Sequence, residues 1–338
     1  MQLSYLSRPV LCILFILIGY TNNAQNESFT MTQIGANNLL DKPWDLHYGP
    51  DGYLWVTERE DGIVVRINPE TAVRDELINI SEVSSTAGQD GLLGMALHNG
   101  LLTGNPYVYL SYTYLVSGQR TQKLVRYTYQ ENGENGSLSS PVTIIDNLPS
   151  SNDHNSGRLI FGSDEKLYYT IGDQGVKVCD SNLAQFLPTQ QEIDVQNWSN
   201  YPGKILRLNL DGSIPIDNPI LGGVKSHIYS YGHRNPQGLV FDNQTGTMWE
   251  TEHAPRGGDE VNIIDKGKNY GWRVISYGIN YNGTTFTNTT HKDGMEQPEF
   301  YYMPSTGTCG LTIVRGDKYP SWDGDLLAGS LRFQYISR

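Results

Sequence analysis

The sequence predicts an all-β protein, and the fold class that fits it best is a β-propeller. The chain has 22 Tyr and 36 Gly among 338 residues, and only 18% of its residues are charged. Short strands joined by turns give such a composition, whereas long surface helices would raise the charged fraction. No amphipathic helical pattern continues beyond two turns, and a unit of turn, strand and polar tip recurs at irregular spacing.

The first copy of this unit begins at the Gly-Pro-Asp-Gly turn of residues 49–52. An alternating aromatic and aliphatic strand follows at 53–59, and Asp61-Gly62 then turns the chain into a second strand at 63–67. Turn chemistry and period-two alternation together predict a β-hairpin.

Later copies have the same order of turn, strand and polar tip. In a propeller the innermost strands surround a central channel and their ends carry the site, so Asp173, His253 and the Glu58-Arg59 tip would lie on comparable edges. Two β-sandwiches are the alternative architecture. The copies are 107–114, which is weaker, 167–173 with 204–209, and 240–242 followed by 247–253 and 260–264.

The first 24 residues have the pattern of a secretory signal peptide. Arg8 supplies the positive charge, residues 10–20 are the apolar run, and residues 22–24 are a plausible cleavage site. The apolar run is too short to cross a bilayer comfortably, so we expect no membrane span. We therefore expect a secreted or periplasmic protein whose residues 25–338 form the propeller domain.

Charge and cysteine content limit the partners. The formal net charge is -12, which disfavours nucleic acid and anionic membranes as partners. Beyond the signal peptide only Cys179 and Cys309 remain, and their spacing predicts no zinc-thiolate site. Whether they form a disulfide stays open.

A polar loop at residues 150–157 carries His154 and leads into strands that end at Asp173, between two glycines. A general base must be accessible to substrate and held in one tautomer by a fixed partner. His154 is the candidate base and Asp173 the residue that orients it. The alternative is that His154 only belongs to a turn, since Asn, Asp and Ser favour turns.

Three further stretches carry candidate polar residues. Residues 88–96 form a glycine-punctuated loop that presents Gln89, and residues 232–239 contain the Gly-His-Arg-Asn-Pro sequence with Arg234 and Asn235. Residues 252–262 are rich in acidic residues and glycine. With the His154 loop, this combination resembles the soluble, calcium-dependent pyrroloquinoline quinone (PQQ) glucose and aldose sugar dehydrogenases. The resemblance extends from about Asn38 to Arg332.

The resemblance implies a six-bladed β-propeller that oxidises aldose sugars at C1 to lactones by hydride transfer to PQQ. His154 would take the hydroxyl proton and Asp173 would hold its imidazole. Gln89 and Asp153 would bind the sugar hydroxyls, and Arg234 would polarise the quinone carbonyl. The implied cofactor contacts are Arg234, Asn235, Ser305 and Arg332.

The resemblance also implies calcium, which prefers hard oxygen ligands. In the family a Gly-Pro pair offers main-chain carbonyls, and here the pair is Ala254-Pro255, a change that is tolerable if the φ of Ala254 stays negative. Glu260 and Tyr270 match residues associated with a second calcium. Their alternative interpretation is a turn carboxylate and a buried aromatic residue.

Two departures from the family stand out. Met303 replaces an aromatic residue of the glucose enzymes and Ser305 a threonine, and the chain stops at Arg338 within an apparent strand. The family continues for one further blade of about 40 to 50 residues. The resemblance therefore implies a last blade that is incomplete or missing, either because the sequence is a fragment or because the protein is truncated.

An external electron acceptor and a possible homodimer complete the expected partners. A calcium-dependent propeller lactonase and a non-catalytic sugar-binding propeller are the alternative functions. The first needs calcium held by side-chain carboxylates and Asn at the channel centre.

Overall fold

The computed structural model describes residues 30–133, 135–175 and 182–338. The predicted signal peptide, residues 1–24, and Cys179 lie outside these ranges. Cys309 forms no disulfide within them. None of the helices found there has the length and apolar character that crossing a bilayer needs.

Five antiparallel sheets in the described part of the chain are successive blades of a β-propeller, which confirms the all-β propeller prediction. The first two blades each have four strands in sequence order, a pattern that needs only short turns between neighbouring strands. Blade one comprises β1 Pro43–Tyr48, β2 Leu54–Glu58, β3 Ile63–Ile67 and β4 Arg74–Asn79. Blade two comprises β5 Leu92–Leu97, β6 Tyr107–Val116, β7 Gln119–Asn132 and β8 Asn135–Pro149.

Blades three and four also have four strands, and a two-stranded hairpin lies between two strands of blade three. Blade three comprises β9 Leu159–Phe161, β10 Leu167–Ile171, β11 Lys204–Leu208 and β14 Ile228–Tyr231, with the hairpin β12 Ile220–Leu221 and β13 Val224–Lys225. Helix α1, Gln190–Asp194, precedes β11. Blade four comprises β15 Pro236–Asp242, β16 Thr247–Glu252, β17 Asp259–Ile263 and β18 Phe300–Tyr302.

The fifth blade has three strands, β19 Thr308–Ile313, β20 Leu326–Ser330 and β21 Tyr335–Ser337. The described residues thus provide five blades, and the six-bladed architecture stays a prediction.

The hydrophobic core lies between facing blades. Trp55 and Val64 of blade one pack with Met95 of blade two, and Tyr109 of blade two packs with Tyr169 of blade three. All five side chains are fully buried. Burial of such aromatic and aliphatic surfaces is the main favourable term for stacking sheets.

The innermost strands of the five blades surround a cavity of about 1230 Å³, which is the central channel. Contacts join β1 to β5, β5 to β9, β9 to β15 and β15 to β19. Gln89, His253 and Arg59 line the channel. His253 and Arg59 thus lie at the channel, as expected of the strand ends, and Glu58 beside Arg59 is buried and accepts a hydrogen bond from Arg74 at 2.8 Å.

Candidate active site

His154 and Asp173 form a buried hydrogen-bonded pair. The Nδ1 atom of His154 lies 2.7 Å from Oδ1 of Asp173, and the two residues are 4% and 3% exposed. His154 lies in the loop before β9 and Asp173 follows β10, and these two strands are neighbours in blade three. Strand pairing thus brings together two residues that are 19 positions apart.

The loop that carries His154 has an unusual backbone. His154 and Ser156 have φ values of 47° and 57°, in the left-handed region that non-glycine residues rarely adopt. The Asn155 side chain accepts hydrogen bonds from the Ser151 N–H and the Ser150 hydroxyl, which are turn contacts of the predicted kind. The turn interpretation holds for the backbone, but it does not explain why the His154 imidazole is buried and hydrogen-bonded to Asp173.

Close backbone approach explains one of the two glycines beside Asp173. A Cβ atom at Gly172 would lie 2.1 Å from the carbonyl oxygen of His154. Any larger residue would push the loop away from the end of β10. Gly172 therefore sets the distance between the candidate base and its partner.

The Asp173 carboxylate is surrounded by donors. Its Oδ1 also accepts the Gly175 N–H at 3.1 Å, and its Oδ2 accepts the indole N–H of Trp272 at 2.7 Å. Burial by itself would raise the pKa of Asp173, but the His154 hydrogen bond, the charges of His154 and Arg234 and the Gly175 N–H outweigh it. The pKa of Asp173 is therefore below its ordinary value, and the residue stays a carboxylate.

Asn235 connects the Gln89 loop to the His154 loop. Its Nδ2 donates to Oε1 of Gln89 at 3.0 Å, and its Oδ1 accepts the Ser156 hydroxyl at 2.9 Å. Gln89 itself receives a main-chain contact from the loop, since its N–H donates to the Asn152 carbonyl at 2.9 Å. Residues from three blades thus meet at one place.

Arg234 lies beside this network and is 3% exposed. Its backbone N–H donates to Oε2 of Glu252 at 2.5 Å, and its Nη1 donates to the His253 carbonyl at 2.7 Å. Its backbone carbonyl accepts the Asp173 N–H at 2.7 Å, so the backbone of Arg234 is bonded directly to the partner of His154. The buried Nε of Arg234 has no hydrogen-bond partner within the described residues.

Asp153 and His253 also lie near His154. Asp153 is partly exposed, and its Oδ1 lies 3.8 Å from Nε2 of His154. Burial lowers the pKa of His253 to about 4 despite the opposing charge of Asp259, so His253 is neutral near pH 7. Its Nε2 is buried and has no partner among the described residues.

Asp259 joins the two loops that carry the other predicted cofactor and metal residues. Its Oδ1 accepts the Ala254 N–H at 3.0 Å, and its Oδ2 accepts the N–H groups of Thr306 and Gly307 at 2.9 and 2.6 Å. Next to Thr306, the buried Ser305 hydroxyl has no partner in the described residues. Arg332 is exposed, and its Nη1 donates to the Ser305 carbonyl at 3.3 Å.

Ala254 and Pro255 are buried, and neither main-chain carbonyl accepts a hydrogen bond from another described residue. The φ of Ala254 is not positive, which meets the condition set for replacing glycine at that position. Two buried carbonyls without donors are suitable ligands for a hard cation such as calcium.

Glu260 is half-buried and lies opposite the buried Glu252 on the neighbouring strand, close to the buried Glu250. Burial raises the pKa of Glu250 and of Glu252, and raises that of Glu260 to about 7. Ligand atoms of His233, Glu250 and Glu252 lie within 4.8 Å of one another. A divalent cation would compensate this concentration of carboxylates.

Tyr270 packs beside the acidic cluster, with its ring stacked on His233 at 4.7 Å. Its hydroxyl donates to the Ile263 carbonyl at 2.6 Å and is therefore committed to the fold. Only its main-chain carbonyl is left as a ligand.

Sequence reasoning placed His253 at a strand end near the channel but assigned no role to Asp259, Trp272, Glu250 or Glu252. Their partners are distant in the chain: Trp272 lies 99 residues from Asp173, and Asp259 lies 47 residues from Thr306. Asp259 does belong to the acidic, glycine-rich stretch at residues 252–262, and only the composition of that stretch could have pointed to it.

Residues 40–338 match the Glucose / Sorbosone dehydrogenase family. The chain is 45% identical over 264 residues to quinoprotein glucose dehydrogenase B of Acinetobacter calcoaceticus, a match that covers 75% of this chain and 54% of that protein. It is 31% identical over 306 residues to aldose sugar dehydrogenase YliI of Escherichia coli (strain K12), covering 87% of this chain and 76% of that protein.

A solved structure is also similar to this chain. The PQQ-bound aldose sugar dehydrogenase of Streptomyces coelicolor superposes with a TM-score of 0.68 at 29% identity, over 88% of this chain and 76% of that one. The family match covers most of the chain, and the two relatives named above are a quinoprotein glucose dehydrogenase and an aldose sugar dehydrogenase. This chain therefore belongs to the glucose/sorbosone dehydrogenase family of oxidoreductases.

Proposed function

We propose that this protein is a PQQ-dependent dehydrogenase that oxidises an aldose sugar such as glucose at C1 to the lactone. The observation that carries the proposal is the buried His154 and Asp173 pair, held against Arg234 and beside the Gln89 and Asn235 pair. A base, a fixed cation and hydroxyl-binding amides are the groups that oxidation of a sugar hydroxyl needs.

His154 takes the proton of the C1 hydroxyl through Nε2. Because Nδ1 faces the Asp173 carboxylate, Nδ1 carries the hydrogen and Nε2 has the free lone pair. Asp173 stabilises the imidazolium that forms, since its pKa lies below the ordinary value and it remains an anion. Gln89 and the partly exposed Asp153 bind the sugar hydroxyls.

Buried polar atoms without hydrogen-bond partners, including one of Arg234, could bind the oxygen atoms of PQQ, a planar orthoquinone with several carboxylates. Arg234 Nε, His253 Nε2 and the Ser305 hydroxyl are buried without partners among the described residues, and each can donate to an oxygen. Arg234 and Asn235 would hold the cofactor near the base, Ser305 would hold it from the loop between blades four and five, and Arg332 from the fifth blade. PQQ supplies the carbonyl group that accepts the hydride.

Calcium fits the main-chain carbonyls of Ala254 and Pro255. A second calcium fits Glu260 and the Tyr270 carbonyl, where it would also neutralise Glu250 and Glu252. The support for both sites is chemical: main-chain carbonyls that accept no hydrogen bond from the described residues at the first, and a concentration of carboxylates at the second.

The proposal for the whole protein is a six-bladed propeller with residues 25–338 as its domain, of which five blades are described. Residues 1–24 would act as the export signal, placing the enzyme in the periplasm or outside the cell. Electrons would pass to an external acceptor, and a homodimer is part of the proposal. The match spans 54% of the length of glucose dehydrogenase B. In that relative, the activity proposed here belongs to a longer polypeptide.

Reconstitution with PQQ and calcium tests the function. Sugar-dependent dye reduction should appear with glucose or another aldose and should fall by about 10²–10⁴-fold in His154→Ala. Phe186→Ala, an exposed position outside the site, is the control and should keep full activity. Lactone hydrolysis without quinone would instead support the lactonase alternative, and sugar binding without either reaction would support a binding protein.

A further inference from the structure

Trp272 contacts both the residue that orients the base and the candidate catalytic arginine. It is 8% exposed, and its Nε1 donates to Oδ2 of Asp173 at 2.7 Å. Its ring centroid lies 5.4 Å from Cζ of Arg234, within the range of a cation–π contact. One side chain thus joins two groups that the proposed reaction uses for different tasks.

The chemistry of the indole restricts the protonation state of the pair. Indole Nε1–H and the Gly175 N–H can only donate, so Asp173 accepts on both of its oxygens. A carboxylate that accepts on both oxygens has no need of its own proton. His154 must then donate through Nδ1, which leaves Nε2 unprotonated for the substrate.

The indole is itself held in one orientation. The Trp272 N–H donates to the Gly232 carbonyl at 2.8 Å, and its carbonyl accepts from Nε2 of Gln185 at 2.7 Å. The edge of Phe286 packs against the ring, with centroids 5.3 Å apart. A side chain fixed in this way can transmit orientation to Asp173.

We propose that Trp272 is a positioning residue for the base: its indole N–H fixes Asp173 as the acceptor for His154, and its ring holds the Arg234 guanidinium beside them. The inference rests on the proposed function for its meaning in catalysis, but the hydrogen-bond arrangement can be tested without PQQ or sugar.

The first test is Trp272→Phe, which removes the donor and keeps an aromatic ring. Without the indole the Asp173 anion is less well stabilised, so the pair takes up its proton more readily. The titration of His154, followed by NMR of its ring nitrogens in the quinone-free chain, should move up by about one pH unit. The acid limb of the kcat/KM profile should move in the same direction.

The matched control is Trp198→Phe, since Trp198 is also buried but packs with Tyr201 and His227 in the core. It should leave the His154 titration unchanged even if stability falls. An unchanged His154 titration in Trp272→Phe overturns the inference. A shifted titration in a chain that never oxidises sugar supports the inference and contradicts the proposed function instead.

A second measurement needs no change at Trp272. The indole N–H proton signal of Trp272 should shift as His154 titrates in the unmodified chain, and should stay fixed over that range in His154→Gln. An indole signal that ignores pH in both proteins would contradict the proposal.

Discussion

The carboxylate of Asp173 accepts hydrogen bonds from the nearby Gly175 N–H and from His154 and Trp272, which are more distant in the chain. Burial would raise the pKa of Asp173, but the His154 hydrogen bond, the charges of His154 and Arg234 and the Gly175 N–H lower it below its ordinary value. A buried anion that is satisfied in this way can fix a neighbouring imidazole without taking its proton. The residue therefore controls which nitrogen of His154 faces the substrate.

Asp173→Asn should keep the fold and lose most of the activity. The amide cannot stabilise an imidazolium and can present its NH₂ group to Nδ1, which favours the wrong tautomer. We expect kcat of the reconstituted enzyme to fall by about 10²–10⁴-fold, as measured by dye reduction. Asp194→Asn, on the exposed surface of α1, is the matched control. Activity within a factor of three or so of the unmodified enzyme would rule out this role for Asp173.

At the scale of single residues, the sequence was sufficient for contacts across neighbouring strands. His154 and Asp173 are separated by two short strands, so a hairpin places them together. The contacts of Asp173 with Trp272 and of Asp259 with Thr306 depend on how whole blades meet. No spacing rule predicts them.

Among the structural elements, the loop between blades two and three depends on glycine. A methyl group at Gly172 would meet the carbonyl oxygen of His154 at 2.1 Å, and Oδ1 of Asn235 at 3.0 Å limits the room for adjustment.

Gly172→Ala should therefore lower the free energy of unfolding by about 2 kcal/mol or more. Chemical denaturation measures it. Gly310→Ala is the control, because a Cβ there would meet only Nη2 of Arg158 at 3.9 Å. Equal small effects of the two substitutions would show that the loop moves freely.

The strand β14 begins next to a buried histidine with consequences at low pH. Nδ1 of His227 lies 2.9 Å from the Tyr201 hydroxyl and Nε2 lies 3.0 Å from the Gly212 carbonyl. Burial lowers its pKa to about 4, while an unfolded histidine titrates near 6.5. The unfolded chain therefore binds a proton between these values when the folded chain does not.

The contribution of neutral, buried His227 to the free energy of unfolding is thus fully present above pH 6.5 and is lost as the pH falls toward 4. The loss should be on the order of 3 kcal/mol, measured as the free energy of unfolding at pH 7 and pH 4. In His227→Gln the free energy of unfolding should differ less between pH 7 and pH 4 than in the unmodified chain. In His291→Gln, a change at an exposed position, the difference should be the same as in the unmodified chain. The same pH dependence in His227→Gln and the unmodified chain would contradict this assignment.

Element prediction succeeded where alternation and turn chemistry coincide and failed where they do not. The strand predicted at 63–67 is β3, and the one predicted at 204–209 is β11 with one residue fewer. Strand β8 was missed, because its exposed and buried residues do not alternate. Helix α1 was missed because it has only five residues, too few for a periodic pattern.

Across the whole molecule, one buried ion pair connects four blades around the channel. Arg158, before β9, forms a close ion pair with Asp45 of β1 and donates to the Gln237 carbonyl of β15 at 2.9 Å. The Met95 N–H of β5 donates to Asp45 at 2.9 Å. Burial would raise the pKa of Asp45, but the charges of Arg158 and His47 lower it by more than burial raises it. The pKa of Asp45 is therefore below its ordinary value, and the pair is ionised.

Arg158→Met should lower the free energy of unfolding by about 3–5 kcal/mol, since it leaves the Asp45 charge buried without its partner. The double variant Arg158→Met with Asp45→Asn should recover part of that loss, as a double-mutant cycle by chemical denaturation will show. Purely additive effects would mean that the two side chains do not interact.

The sequence predicted the fold class because repeated strand units are local patterns. The number of blades came from resemblance, because blade count depends on how sheets close around the channel. The five described blades agree with the propeller but leave the sixth as a prediction. Likewise, the family could be identified from motifs, whereas the network around Arg158 could be seen only in three dimensions.

The most direct test of the central claim is a single-turnover experiment. The protein loaded with PQQ and calcium is mixed rapidly with glucose, and reduction of the quinone is followed by its absorbance in the unmodified chain and in His154→Gln. The account predicts fast reduction in the first and reduction slower by about 10²–10⁴-fold in the second, with PQQ bound equally by both. Equal reduction rates in the two proteins would contradict the role of His154 as the base.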